Sequence, residues 1–365
     1  MYHGQAAVQI DEHGTVNWSH FEVVSRLHHL EMQTRLLPHV SVLIAALVLA
    51  WYYESFDFGL FKYTSKKKGD AVDELLKKKH QLVGKECIPD TNTCFLIVDS
   101  YYLENGRLTT KRDLLLEEHT EYSLTGVEVE STKPVNWDNL DSREWPVNKV
   151  VINARYARLL VAAGFIMDSL SFDENEHQDI LIAGLGGGVM SNFLSEISYL
   201  NLDTTVVEKE EIMIGIAENY FDHFETKEMR VVHADFVDYI KKNNKKYDHI
   251  IVDACENKRA DVICPVSKIL EKEIIQLLKK RLAMNGSLAV NIYSTKDFST
   301  AEKTIYELFS NEFNSCFFLE YFKDKKVLIC SKKDNWTWKQ QKNIFKKNIE
   351  LIDDMFEFKL SRFLN

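Results

Sequence analysis

The sequence lacks any excess of positive charge and has no closely spaced cysteine pair. Lysine and arginine total 45 against 55 aspartates and glutamates, a formal net charge of −10. General nucleic-acid binding needs a basic surface to neutralise phosphates, so no nucleic-acid partner is expected. None of the six cysteines (Cys87, Cys94, Cys255, Cys264, Cys316 and Cys330) stands at CxxC spacing. That removes a zinc ribbon or a dithiol redox motif, and no metal site is expected. Cys94, Cys316 and Cys330 sit in apolar strand-like runs and read as small buried hydrophobes. The expectation is free thiols in a reducing compartment, with a Cys87–Cys94 bridge as the competing reading. Internal repeats and low-complexity tracts are also missing. Asn17, Asn285 and Asn335 begin Asn-x-Ser/Thr sequons. The last two fall in enzyme-like text where a glycan is expected to disrupt packing, so chance explains them.

What is present is an ordinary folded composition, 45% hydrophobic and 27% charged over 365 residues, with length for more than one domain. One long apolar run stands out. Residues 36–53, LLPHVSVLIAALVLAWYY, contain no Asp, Glu, Lys or Arg, and the run is just long enough to span a bilayer, with Trp51, Tyr52 and Tyr53 as an interfacial belt. A buried core helix is the alternative. Arg26 and Arg35 precede it, and Lys62, Lys66, Lys67 and Lys68 follow. The positive-inside rule then places the larger C-terminal part in the cytosol, as a single-pass membrane protein.

The remaining text divides into an N-terminal segment (1–35), the apolar run (36–53), a basic linker (54–84), a β-rich lobe (85–150), an α/β domain (151–335) and a C-terminal helix (336–365). In the linker, 70–80 reads as a short amphipathic helix. In the lobe, 94–103 is a strand, ENGR (104–107) carries the Asn-Gly hairpin signal, and TGVEVES (125–131) alternates. A helix is expected over 153–170. Strands at 179–184, 204–208, 229–233, 247–253 and 286–293 then alternate with helices at 189–200, 212–221, 236–242, 267–284 and 298–311. A hairpin of 315–322 and 326–331 closes the series. Five βα units predict a doubly wound, mainly parallel sheet with an antiparallel edge.

The sharpest motif is AGLGGG, 183–188, between the first buried strand and a helix. Gly184, Gly186 and Gly188 suit a turn at the carboxyl end of a strand, where open α/β sheets bind cofactors and a Cβ would clash. Glu208 ends the next strand, 20 residues past Gly188, where a carboxylate can accept from a ribose diol. Asp235 follows the third strand, with an adenine amine or the N-cap of 236–242 as its partner, and Phe236 is placed to pack on the ring. Asp253 ends the fourth strand and faces the same crevice. It is the candidate catalytic residue, orienting or deprotonating an incoming amine, against a structural strand-end reading.

These residues, with ILIAGLGGGVMSNFL, VVHADFVDYI, YDHIIVDA and the string from Ile263 to Asp297, resemble the class I S-adenosylmethionine-dependent methyltransferases. More narrowly they resemble the spermidine-synthase-like branch, and within it the C-terminal domains of the dual lysine and N-terminal methyltransferases of elongation factor 1-alpha. The resemblance covers about residues 150–360. It implies a seven-stranded sheet with the last strand antiparallel, and S-adenosylmethionine as cofactor. It also implies that Gly184, Gly186 and Gly188 cradle the methionine part, that Glu208 takes the ribose and that Asp235 takes the adenine. The chain departs from that pattern in three places, one of them ACENK (254–258), where the dual methyltransferases carry a more acidic loop. Ile182 and Ala183 stand where many class I enzymes carry an acid. Gly186 stands where spermidine synthases carry the aspartate that holds the amine of the decarboxylated cofactor.

The reading is therefore methyl transfer to a protein amine, with a small-molecule amine as the other acceptor class and a homodimer left open. Two alternatives stand beside it: a spermidine-synthase-like aminopropyltransferase, and a non-catalytic membrane-anchored binding module.

Overall fold

In a computed structural model the described residues are 71–89, 91–256, 260–295, 298–322 and 325–362. The apolar run 36–53, the segment before it and most of the basic linker lie outside them. Among the described residues no helix is long and apolar enough to cross a membrane.

A helix α1 (71–78) opens the described chain. It leads into four antiparallel strands in sequential order: β1 (His80–Cys87), β2 (Cys94–Glu104), β3 (Arg107–Leu116) and β4 (His119–Val129). The β2–β3 turn is Asn105-Gly106, both at positive φ (51° and 77°), which matches the right-handed twist of the flanking strands. Phe95 and Ile97 of β2, Leu114 and Leu116 of β3, and Val127 and Val129 of β4 alternate inward with period two. They pack on Met213, Ile216 and Phe221, whose helix belongs to the larger domain. A buried ion pair secures this junction. The Arg112 guanidinium donates to both Asp99 oxygens (2.8 and 2.9 Å), to the Tyr220 carbonyl (3.0 Å) and to the Ser142 carbonyl (2.7 Å).

The larger domain begins with α2 (Arg155–Ile166), followed by β5 (Gln178–Ala183), α3 (Val189–Glu196), β6 (Leu202–Glu208), α4 (Glu211–Phe221), β7 (Met229–His233), α5 (Phe236–Lys242) and β8 (Tyr247–Val252). Then come β9 (Val262–Cys264), α6 (Lys272–Arg281), β10 (Leu282–Ser294), α7 (Phe298–Ser310), β11 (Ser315–Phe322), β12 (Lys325–Ser331) and α8 (Trp338–Phe356). The sheet order is β11-β12-β10-β8-β5-β6-β7, with short β9 pairing antiparallel to β10. Strands β10, β8, β5, β6 and β7 are parallel. The single antiparallel strand among the seven is β12, which sits between β10 and β11 rather than at the edge. β5 shows why the sheet is two-sided: Ile180 and Ile182 pack with α2, α3 and α8 on one face, while Leu181 and Ala183 pack with α5, α6 and α7 on the other.

Several element boundaries differ from the sequence reading, among them the first helix of the larger domain, expected over 153–170 and found as Arg155–Ile166. The single helix expected over 267–284 is a 3-10 turn (Ser267–Leu270) and then α6, separated by extended Glu271, and β10 already begins at Leu282. The C-terminal helix stops at Phe356, because Glu357 takes a left-handed conformation (φ 56°). α3 ends at Glu196 rather than at residue 200.

The cysteines overturn the free-thiol expectation and match the competing Cys87–Cys94 reading. All six are paired, as Cys87–Cys94, Cys255–Cys264 and Cys316–Cys330, and no free thiol remains. Cys87 faces Cys94 across β1–β2, and Cys316 faces Cys330 across β11–β12. Such directly opposed residues bring their Cβ atoms close enough to bridge. That register comes from strand pairing and is invisible in cysteine spacing.

Candidate active site

The carboxyl ends of β5, β6, β8 and β10 open on one cleft of about 740 Å³, a size that suits a nucleotide cofactor and part of an acceptor. Its walls include Gly184, Leu185, Gly186, Glu208, Asp235, Phe236 and Asp253, together with Leu124 and Thr125 from β4. The β lobe thus closes one side of a site built on the parallel sheet.

Gly184 follows β5 directly. Its φ is +91°, and a Cβ there would lie 2.8 Å from the Asp253 carbonyl oxygen. Glycine is required because the turn passes under the end of β8. Gly186 faces Thr125, whose Oγ1 would stand 3.0 Å from an added Cβ. Gly188 is different. It caps α3 at φ +70°, and a Cβ added there would lie 2.2 Å from the ring of His223. It does not line the cleft, so the expected cradle consists of Gly184, Leu185 and Gly186, and Gly188 serves the packing of the turn.

Glu208 is buried at the end of β6, where both of its oxygens are used. One accepts from the Leu185 amide and the other from the Glu210 amide, each at 2.8 Å. Burial raises its pKa, and these backbone donors partly offset the rise. The carboxylate therefore fixes the glycine turn relative to β6 while still presenting an edge to the cleft.

Asp235 is an N-cap. Its Oδ1 accepts from the Val237 amide (2.9 Å) and the Asp238 amide (3.4 Å), and Lys268 Nζ stands 3.4 Å from Oδ2. Burial pushes its pKa up, but the helix amides and the Lys268 ammonium outweigh that and hold it below the usual carboxylate value. The cap and the cleft position coexist, as the sequence allowed. Phe236, beside it, is nearly buried and forms apolar wall.

Asp253 sits at the floor. Its amide donates to the Ala183 carbonyl (3.0 Å), which ties it to the start of the glycine turn. The Asn291 amide donates to its Oδ1 at 2.8 Å, and Tyr321 donates to Asn291 Oδ1 at 3.0 Å. Burial pushes the Asp253 carboxyl up to about 7, and the Asn291 hydrogen bond acts in the opposite direction. Asn291, Tyr321 and Tyr156, whose hydroxyl donates to the Leu124 carbonyl at 3.1 Å, were missed by sequence reading. Asn291 lies mid-strand in GSLAVNIY as the lone side-chain amide of an apolar run, and that was its available signal. Tyr321 belongs to the closing hairpin, which only the β12 insertion brings to the site. The Cys255–Cys264 bridge closes the loop after β8 and forms the adjoining wall.

The sheet order and the position of the cleft define a Rossmann-like transferase fold of the class I methyltransferase type. The family model for the Spermine/spermidine synthase domain matches residues 161–341. Over that stretch the chain is similar to the spermidine-synthase-like branch of the S-adenosylmethionine-dependent methyltransferases. The eEF1A lysine and N-terminal methyltransferase homolog of Drosophila melanogaster is 28% identical over 119 residues, 32% of this chain and 18% of that protein. The chain thus spans about a fifth of the length of the curated relatives it matches. A probable spermidine synthase from Corynebacterium glutamicum superposes with a TM-score of 0.51 at 13% identity, over 69% of this chain and 81% of that one. Human Methyltransferase-like protein 13 in complex with SAH gives 0.47 at 17% identity, over 54% and 93%.

Proposed function

We propose that this chain is an S-adenosylmethionine-dependent methyltransferase whose acceptor is an amine of a protein. The observation that carries the reading is Asp253. It is a deeply set carboxyl titrating near 7 on the same cleft as the glycine turn and Glu208.

The cleft fits the cofactor's parts. Adenine needs an apolar face and a hydrogen-bond acceptor, which Phe236 and Asp235 supply. A ribose diol needs a fixed carboxylate, and Glu208 is held by two backbone amides. The bare-backbone turn at Gly184 and Gly186 would take the methionine part. When bound, S-adenosylmethionine supplies an electrophilic methyl on a sulfonium. The chain's own work is positioning and proton removal. An acceptor ammonium must lose a proton before its lone pair can attack, and the Asp253 carboxylate is placed to take it. An ordinary carboxyl would be a poor match. Raised to about 7, Asp253 comes within roughly a unit of an α-amino group and roughly three units of a lysine.

Aminopropyl transfer is the second reading, favoured by the family match over 161–341. Gly186 speaks against it. It offers no carboxylate for the extra amine of a decarboxylated cofactor, and Thr125 closes the space beside it. Calorimetry with S-adenosylmethionine, its decarboxylated form and S-adenosylhomocysteine separates the readings. Tighter binding of the decarboxylated form would favour aminopropyl transfer, and binding of none of the three would leave only a non-catalytic fold. Tritiated-methyl transfer into lysate protein, lost in Asp253→Asn, is the expected result for the methyltransferase.

A further inference from the structure

All six cysteines are bridged, in three separate parts of the fold: the β1–β2 hairpin, the loop after β8 and the β11–β12 hairpin. Two of the bridges lie between directly opposed strand residues. Reducing compartments keep thiols reduced, whereas disulfides of this kind form and persist in oxidising ones. A second observation comes from the sequons. Asn285 and Asn335 are both exposed, contrary to the packing conflict expected from sequence. Asn285 lies in a bulge of β10: Leu282 pairs with Tyr247, yet Ser287 already pairs with His249. Asn335 lies in the turn between β12 and α8 at φ +56°, with Oδ1 accepting from Gln340 at 2.9 Å. Among the described residues, neither side chain donates its amide to a protein group.

Their placement adds a third observation. Asn285 is at the amino end of β10. Ser331, at the carboxyl end of antiparallel β12, pairs with Ser287. Both asparagines therefore stand at the end of the sheet opposite the cleft, where a bulky polar glycan leaves the site open.

We propose that the transferase domain matures in an oxidising, glycosylating compartment and carries N-linked glycans at Asn285 and Asn335. This does not rest on which group the enzyme transfers. It places the domain on the opposite side of a membrane from the one suggested by the lysines after residue 53. Ser287 is buried and bonded to Ser169 and His249 in the fold, so glycan attachment at Asn285 precedes folding, when the sequon is still extended.

The test uses the full chain with Asn17→Gln, expressed in eukaryotic cells, so that only the two described sequons report. Digestion with peptide N-glycosidase is expected to remove two mobility steps. Asn285→Gln and Asn335→Asp each remove one, and the double variant removes both. The aspartate keeps the acceptor used by Gln340 and tolerates the positive φ. Maleimide labelling in denaturant is expected to find no thiol before reductant and six after it. An unchanged mobility on glycosidase treatment overturns the glycan sites. Labelling of all six thiols without reductant overturns the oxidising compartment.

Discussion

The Asn291 side-chain amide donates to Asp253 Oδ1 at 2.8 Å, from the strand next to the one that Asp253 ends. This bond is the one influence that lowers the Asp253 pKa against the burial that raises it to about 7. If Asp253 removes the acceptor proton, kcat rises with pH through about 7, because the carboxylate is the active form. Replacing Asn291 by leucine removes the donor and moves that limb to higher pH. Asp253→Asn abolishes the limb and lowers kcat by about 10²–10⁴-fold with cofactor affinity retained. A pH–rate limb that stays put in Asn291→Leu would show that another group titrates.

The same carboxyl has a stability cost. Its folded pKa (about 7) lies above the ordinary 3.8, so the folded protein binds the extra proton between those values. The contribution of Asp253 to stability is full below about 4 and is lost as pH rises through about 7. Asp253→Asn is therefore expected to be more stable than wild type at pH 8, on the order of 2–4 kcal/mol, and about equal to it near pH 4. Urea unfolding at the two pH values checks this. Equal stability at pH 8 would mean that the carboxyl is well solvated.

The glycines separate binding from folding. Gly184→Ala places a Cβ 2.8 Å from the Asp253 carbonyl at φ +91° and shifts the floor of the cleft. It is expected to lower stability by about 1–3 kcal/mol and to weaken S-adenosylmethionine as well. Gly188→Ala meets the His223 ring instead, away from the cleft. It is expected to cost stability while the folded fraction keeps near-normal affinity. Calorimetry on both variants after thermal melts distinguishes the two roles.

What sequence revealed and what it hid follow from the range of the interactions. AGLGGG, Glu208, Asp235 and Asp253 were legible because each lies at the end of a strand whose apolar run and βα rhythm fix where that end points. The hairpin at Asn105-Gly106 was legible from two residues with positive φ. Asn291 was hidden because it meets Asp253 across the β8–β10 pairing, and Tyr321 because it reaches Asn291 only after β12 inserts between β10 and β11, both matters of sheet order. Of the bridges, Cys87–Cys94 stood as the competing reading of the sequence, whereas Cys316–Cys330, opposed across a hairpin, and Cys255–Cys264 were not foreseen. Gly188 was read as a ligand contact because its motif position is shared, whereas its neighbour His223 comes from beyond α4.

Arg112 tests whether the β lobe is held by its ion pair. The Arg112–Asp99 pair is almost fully buried, and the guanidinium also serves the Tyr220 and Ser142 carbonyls. Arg112→Met keeps volume but leaves Asp99 charged and unpaired in the interior. Breaking a buried pair from one side costs about 3–5 kcal/mol. The expected loss falls on the junction between β3 and α4, so limited proteolysis should cut the lobe before the larger domain. The double change Arg112→Met with Asp99→Leu removes both charges and should recover much of the loss. If the single variant resists protease as wild type does, the apolar packing on Met213, Ile216 and Phe221 holds the lobe without the pair.

The disulfide after β8 is the remaining lever on the acceptor side. Cys255 and Cys264 close a loop that begins two residues past Asp253, and the Glu256 amide donates to the Ile263 carbonyl at 2.8 Å within it. The double change of Cys255 and Cys264 to serine removes the covalent closure but leaves that backbone bond. No residue of the cofactor side of the cleft, from Gly184 to Phe236, takes part in the bridge. The expected outcome is therefore a several-fold rise in acceptor KM with S-adenosylmethionine affinity within about twofold, since loop ordering costs roughly 0.5–1.5 kcal/mol per immobilised side chain. A matching loss of cofactor affinity would mean that the bridge braces the whole crevice through Asp253, whose amide is bonded to Ala183 at 3.0 Å.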